Sequence, residues 1–204
     1  MGAGVALDAF VVIMKIPSVF RRLFAEGAFN QAFVPVLAEY KERDVSEVKN
    51  LINNTLGTLT LVLLSVTVFA LLFAPIFVMI FAPGFYNEPL KKELAEDILQ
   101  ITFPYLFFVS LVAFSGSILN SYQKFSLPAL TPLFYNLSLI VAAIWFAPKL
   151  EAPIYAIAWG VFFAGIIQLI IQIPSLVNLG LLPRFKFNMQ HPGVRKVVFL
   201  MIPG

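Results

Sequence analysis

The chain has 204 residues, of which 60% are hydrophobic and only 12% charged, and its mean hydropathy is +0.89. A water-soluble domain of this size is about 45–50% apolar and about 25% charged, so composition excludes an ordinary globular enzyme, a disordered tail and a nucleic-acid-binding module. The net charge of +3 and the pI near 9.2 are too slight a basic excess to imply nucleic acid; in a polytopic membrane protein such an excess sits in cytoplasmic loops.

A spanning helix needs about 20 mostly apolar residues, and the charged residues divide the chain into pieces of that order. The first, over 5–37, is apolar but carries Asp8, Lys15, Arg21, Arg22 and Glu26. Further helices are expected over 53–82, 95–122, 127–148 and 153–178. A sixth begins near Val197 and has only 197–204 to run. Long apolar runs with short polar connectors predict an all-α polytopic transmembrane bundle of about five spanning helices plus the start of a sixth. A membrane barrel would instead alternate in segments of about 10 residues. Residues 1–196 read as one partial transmembrane lobe.

Lys and Arg in the connectors set the orientation. Alternate connectors 41–50, 123–127 and 178–196 hold Lys41, Arg43, Lys49, Lys124, Arg184, Lys186, Arg195 and Lys196, against Lys91, Lys92 and Lys149 in 83–97 and 148–152. The first set is therefore expected in the cytoplasm and Met1 on the outer side. The N-terminus lacks a basic n-region, a cleavage site and a myristoylation pattern. That combination, with a last helix cut short, leads to the expectation of at least one helix before residue 1 and more after residue 204.

Proline recurs in or beside the apolar runs, at Pro17, Pro35, Pro75, Pro104, Pro128, Pro132, Pro153 and Pro174. A proline inside a helix frees a backbone carbonyl and bends the axis; at a helix start it fits without cost. Pro17 and Pro104 are the candidate hinges, Pro128 and Pro153 candidate starts.

The chemistry is concentrated in the first segment. A charge at the centre of a membrane helix costs about 2.5–3.5 kcal/mol or more, so it faces a partner or a watery cavity. Asp8, Lys15, Arg22 and Glu26 are separated by steps of 7, 7 and 4 residues, which places them within about 40° of one another on an ideal helix. Mixed charge with a cationic excess suits an anionic ligand, and the planar fork of arginine suits phosphate best. Lys15 adds a point charge; Asp8 and Glu26 are expected either to hold the cations when the site is empty or to compete for them during a cycle.

Signals for catalysis are weak. There is no cysteine, no phosphate loop, no HExxH and no usable histidine triad. The lone His191 lies in a polar loop. Glu96-Asp97 reads as an acidic helix start, and Asn120 and Asn136 as hydrogen-bonding residues between helices. No cofactor, metal site or catalytic residue is expected.

The strings Asp8-Ala9-Phe10, Lys15-Ile16-Pro17 and the run from Arg21-Arg22-Leu23-Phe24-Ala25-Glu26-Gly27 to Pro35 resemble the MurJ (MviN-type) lipid II flippases. Ala82-Pro83-Gly84-Phe85, Gln100-Ile101-Thr102-Phe103-Pro104-Tyr105, Ile118-Leu119-Asn120 and Leu127-Pro128-Ala129-Leu130 follow in the family's order, so the resemblance covers essentially the whole chain. It implies the multidrug/oligosaccharidyl-lipid/polysaccharide exporter superfamily, with two helical lobes around a central cavity that opens alternately to each side. It implies a position at the second to sixth helices of about fourteen, plus the beginning of the seventh. The family's arginine-bearing first helix and its C-terminal lobe then have no counterpart here and become the expected partners, with lipid II and membrane lipids. The expected location is the bacterial inner membrane. By motif position the resemblance makes Arg21 the substrate arginine, with Asp8 and Glu26 as functional acids, whereas the straight-helix count favours Arg22; Pro17 shifts the register between the two. Other readings are a cation-coupled drug or lipid-linked oligosaccharide exporter of the same superfamily, and an integral-membrane enzyme acting on a polyprenyl diphosphate. The former needs acids and fewer cavity arginines, the latter clustered acids for magnesium.

Overall fold

The computed structural model describes residues 3–22, 28–85 and 87–201. Among them there are helices and connectors and no strand. Four stretches are long and apolar enough to cross a membrane: Val45–Leu72, Pro89–Ser121, Ser126–Lys149 and Pro153–Asn178. The chain is an all-α, multi-pass membrane bundle.

Most of its long stretches are broken, and the breaks follow the prolines. The first is α1 (Ala3–Ile13), α2 (Lys15–Arg21) and α3 (Ala28–Lys41). It parts at Met14 because Pro17 has no N–H for the carbonyl of Ile13 and its ring crowds that carbonyl. The Ser18 hydroxyl donates to the Met14 carbonyl at 2.7 Å, a back-bond that bends helices further. The second stretch is α4 (Val45–Leu72) and α5 (Ala74–Phe81), parted before Pro75. The third is α6 (Pro89–Thr102) and α7 (Tyr105–Ser121), parted at Phe103–Pro104. Next comes α8 (Ser126–Val141), extended by a π-helical turn at Ala142–Phe146. The last long stretch is α9 (Pro153–Ile170) and α10 (Ile173–Asn178), parted before Pro174. Pro153 starts a helix, whereas Pro35 and Pro132 lie inside helices.

Two elements reach beyond the apolar runs. Helix α6 starts at Pro89, whose fixed φ suits a first turn, and its charged part is held by Glu88–Lys91 (2.7 Å) and Lys92–Glu96 (3.7 Å) pairs. Glu96 and Asp97 therefore lie inside α6 and cap nothing; Asp97 instead accepts a hydrogen bond from the Tyr155 hydroxyl at 2.6 Å. The final helix, α11 (Pro192–Met201), starts ahead of its apolar residues at Pro192 and packs on α3 and α4.

Aromatic rings make much of the core. Phe29 and Phe33 stack with centroids 5.4 Å apart, and Phe114 of α7 meets Phe33 at 5.1 Å. Helix α9 is sealed against its neighbours by glycines. A methyl at Gly160 would stand 2.7 Å from the Ala142 Cβ, and one at Gly165 2.8 Å from the Phe108 Cβ; small residues let membrane helices approach this closely. Leu133, Leu137 and Ile140 of α8, with Ile144 of the π-helical turn that follows, are all exposed and form an apolar stripe at helical spacing.

The connectors 41–50, 121–124 and 184–196 gather at one end of the bundle. Lys41 donates to the Ser121 carbonyl at 2.5 Å and lies 4.3 Å from the Tyr122 ring centre. The Arg184 amide donates to Asn53 Oδ1 at 2.7 Å, and Lys186 Nζ to Asn50 Oδ1 at 3.1 Å. Lys196 pairs with Glu39. Helix α10 ends with Gly180 at φ +64°, its amide donating to Val177 and the Leu181 amide to Leu176. This left-handed cap turns the chain into the extended segment that lies on α4.

Candidate functional site

A cavity of about 340 Å³ opens between α2, α3, α7, α8 and α9. Arg21, the last residue of α2 and one turn beyond Pro17, lines it. Asn30 and Ser117 line it too and are hydrogen-bonded to each other. From α7 and the residues near it come Tyr105, Gly116 and Asn120; from α8 come Thr131, Tyr135 and Asn136; from the last stretch come Gln168 and Gln172. The Tyr105 and Tyr135 ring centres are 5.7 Å apart.

The hydrogen-bond accounting of this wall is incomplete. Gln168 Nε2 donates to the Thr131 carbonyl at 2.7 Å, but its Oε1 is buried without a partner. Gln172 is fully buried, and neither its Nε2 nor its Oε1 meets a partner among the described residues. Buried polar groups are almost always satisfied, so an amide in this state is unusual.

Of the charged residues singled out from sequence, Arg21 lines the cavity. Asp8, Lys15 and Arg22 are exposed side chains of the same stretch and do not line it. Asp8, Lys15 and Arg22, seven residues apart, are exposed on both sides of the turn at Met14, whose backbone stays helical, as the shared face expected of them requires, but that face is not the cavity wall. Glu26 lies outside the described residues. Asn120 and Asn136, read as links between helices, stand on the cavity wall. Gln168 and Gln172 were not singled out; their signal was two amides one helical turn apart in an otherwise apolar span. Among the described residues no cluster of three or more His, Asp or Glu stands close enough for a metal ion.

Comparison with known proteins places these features in context. The family profile described as "Lipid II flippase MurJ" matches residues 1–204. A Vibrio cholerae serotype O1 protein named "Probable lipid II flippase MurJ" is 43% identical over 212 residues, covering all of this chain and 40% of its own length. A Haemophilus influenzae protein of the same name is 41% identical, again over the whole chain and 42% of its own length. A solved structure titled "Lipid II flippase MurJ, inward closed conformation" superimposes with a TM-score of 0.76 at 27% identity, covering 97% of this chain and 41% of the other. The chain thus spans about 40% of the length of the curated relatives it matches.

Proposed function

Since this chain belongs to the lipid II flippase MurJ family, we propose that it forms one wall of a cavity through which lipid II crosses the bacterial inner membrane. The opposing wall comes from sequence that the relatives carry beyond the matched 40%. The reading makes residues 1–196 the greater part of one lobe, with the family's first helix and C-terminal lobe as its partners. The observation that carries it is Arg21, a cation held at the edge of a membrane cavity whose other lining side chains are neutral.

Each step follows from this chain's residues. The guanidinium of Arg21 donates two parallel hydrogen bonds to the diphosphate, in a setting where charge is poorly screened. Lys15 and Arg22, exposed on the same stretch, raise the local positive potential without lining the cavity. Asp8, with Glu26, limits that potential so that the anion is released on the far side. The polyprenyl tail stays in the bilayer. No bond is made or broken, so transport needs only alternating access, and the proline breaks at Met14, Phe73, Phe103 and Ile171 provide places for helices to bend.

The test is complementation of a flippase-depleted strain by a full-length relative in which this chain replaces the matching segment. Arg21→Ala should abolish growth at near-normal protein level. Arg21→Lys should restore it only in part, because a point charge replaces a two-pronged donor. Full growth with Arg21→Ala overturns the proposal.

A further inference from the structure

We propose that the amide wall of the cavity, Gln168 and Gln172 with Tyr135 and Asn136, is a recognition surface for an uncharged sugar carrying hydroxyl and acetamido groups, attached to the diphosphate that Arg21 meets. The inference rests on the arginine reading for where the diphosphate lies, but its own evidence is separate.

The strongest evidence is Gln172. Both ends of its carboxamide are buried and unpartnered, and the residue lines the cavity beside Gly116, where an added Cβ would stand 4.0 Å from its Oε1. A carboxamide needs one partner that accepts and one that donates. A diphosphate only accepts, an ammonium only donates and an acyl chain does neither. A sugar hydroxyl or an acetamido group does both. Gln168 Oε1, one turn away, asks for a second donor from the same ligand.

The rest of the wall fits that ligand. The Tyr135 ring stands beside Tyr105 at 5.7 Å, giving flat apolar surfaces with polar ends, suited to the mixed faces of a pyranose. Asn136 adds another amide. The volume, about 340 Å³, is at the small end of ligand pockets and suits one sugar ring with its attached phosphate. Gln172 also precedes α10 directly, at the break set by Pro174. Contact with it therefore couples ligand to a bend in the helix.

The test measures binding of two probes, lipid II and sugar-free undecaprenyl diphosphate, to the purified full-length chimera and its variants. Gln172→Met should weaken lipid II binding about tenfold, the loss of one or two hydrogen bonds, and leave undecaprenyl diphosphate within about twofold. Gly116→Ala provides a second variant that keeps the amide. Its methyl would meet Pro128 at 3.6 Å, an ordinary contact, and would close off the approach to Gln172 without strain, so the same selective loss is expected. Thermal unfolding of each variant reports its folding; if Gln172→Met does not fold, Gly116→Ala decides. Equal weakening of both probes, or of neither, would mean that the amide packs the bundle or holds a trapped water, and overturns the inference. Arg21→Ala should weaken both probes. If it leaves both intact while the Gln172 and Gly116 variants stay selective, the arginine reading fails and the sugar wall stands.

Discussion

Two regions of this bundle use the same side chains to opposite ends. Where the connectors 41–50, 121–124 and 184–196 meet, several lysine, arginine and asparagine side chains find partners within the chain, although Asn54 Oδ1 and His191 Nδ1 are buried there with none among the described residues. Lys41 has the Ser121 carbonyl, Lys186 has Asn50, Lys196 has Glu39, and Arg43 has Glu39 and Glu47. In the cavity, Gln172 and half of Gln168 have none among the described residues. The two regions also differ in how closely the backbone is approached at one glycine in each. A methyl on Gly57 would lie 2.1 Å from the Lys186 carbonyl oxygen, whereas one on Gly116 would meet nothing closer than 3.6 Å. On the proposal made above, the partnered groups of the connectors hold the structure together and the unpartnered amides of the cavity meet a ligand. Residue type alone does not distinguish the two uses.

The largest effect expected is all-or-none. If the gathered connectors face the cytoplasm, Ser46→Cys and Asn188→Cys should resist an impermeant maleimide in intact cells. Asn87→Cys and Glu151→Cys, in the other connectors, should react. All four sites are exposed, and the native chain has no cysteine to confuse the readout. Labelling at Ser46 or Asn188 from outside would invert the orientation and with it the face from which the cavity loads.

Next is the contrast between the two glycines. Gly57→Ala should lower stability by about 1–3 kcal/mol, the usual cost of forcing volume into a packed site, because a backbone carbonyl has to move. The gain of up to about 1 kcal/mol in helix propensity does not offset it. Gly116→Ala should be neutral or stabilising. Thermal unfolding in one detergent checks both, and equal destabilisation would erase the difference in packing on which the comparison rests.

Much of the bundle was legible in the sequence because membrane helices announce themselves by length and by the absence of charge. The four long spans needed no tertiary information. The ends of helices were less legible. The charged start of α6 folds because Lys91 and Lys92 pair with acids one turn away, and an apolar-run criterion does not register that. The stretch bearing the site charges was least legible. A straight helix puts Asp8, Lys15 and Arg22 on one face, and all three are exposed, but it is Arg21, one position earlier, that lines the cavity. Resemblance to a family picked out Arg21 where helical arithmetic favoured Arg22. Neither drew attention to Gln172, whose significance is the absence of a partner, a property of packing that no spacing encodes.

A smaller effect is expected at the Glu39 ion pairs. Glu39 accepts from Arg43 at 2.9 Å and from Lys196 at 2.5 Å, tying α3 to α11. These pairs are exposed, and exposed pairs contribute little and are screened by salt. Glu39→Gln should lower the thermal midpoint slightly at low ionic strength and not at all in high salt. A large, salt-independent loss would make this contact part of the packed core, contrary to the picture of a solvated latch.

The smallest effect is the pH response of the same end. Burial pushes the His191 imidazole below its usual pKa; Lys186 acts in the same direction, and Glu47 opposes them. Its ring lies 6.0 Å from that of Tyr40, so protonation places a cation in a half-buried pocket between α3 and α11. The folded state then binds the proton less readily than the unfolded state. The stability from this site is complete above about pH 6.5 and is lost as pH falls through the lowered folded value. The Lys196 ammonium, followed by Arg43, holds the Glu39 carboxyl below its ordinary range. Its contribution is therefore present above about pH 4.5 and is lost only as pH falls through a still lower value. The two groups thus predict a two-step decline on acidification, His191 first. In thermal unfolding, His191→Gln should flatten the step just below neutrality and leave the more acidic one. Glu39→Gln should do the reverse. A decline that neither substitution alters would place the acid sensitivity elsewhere in the bundle.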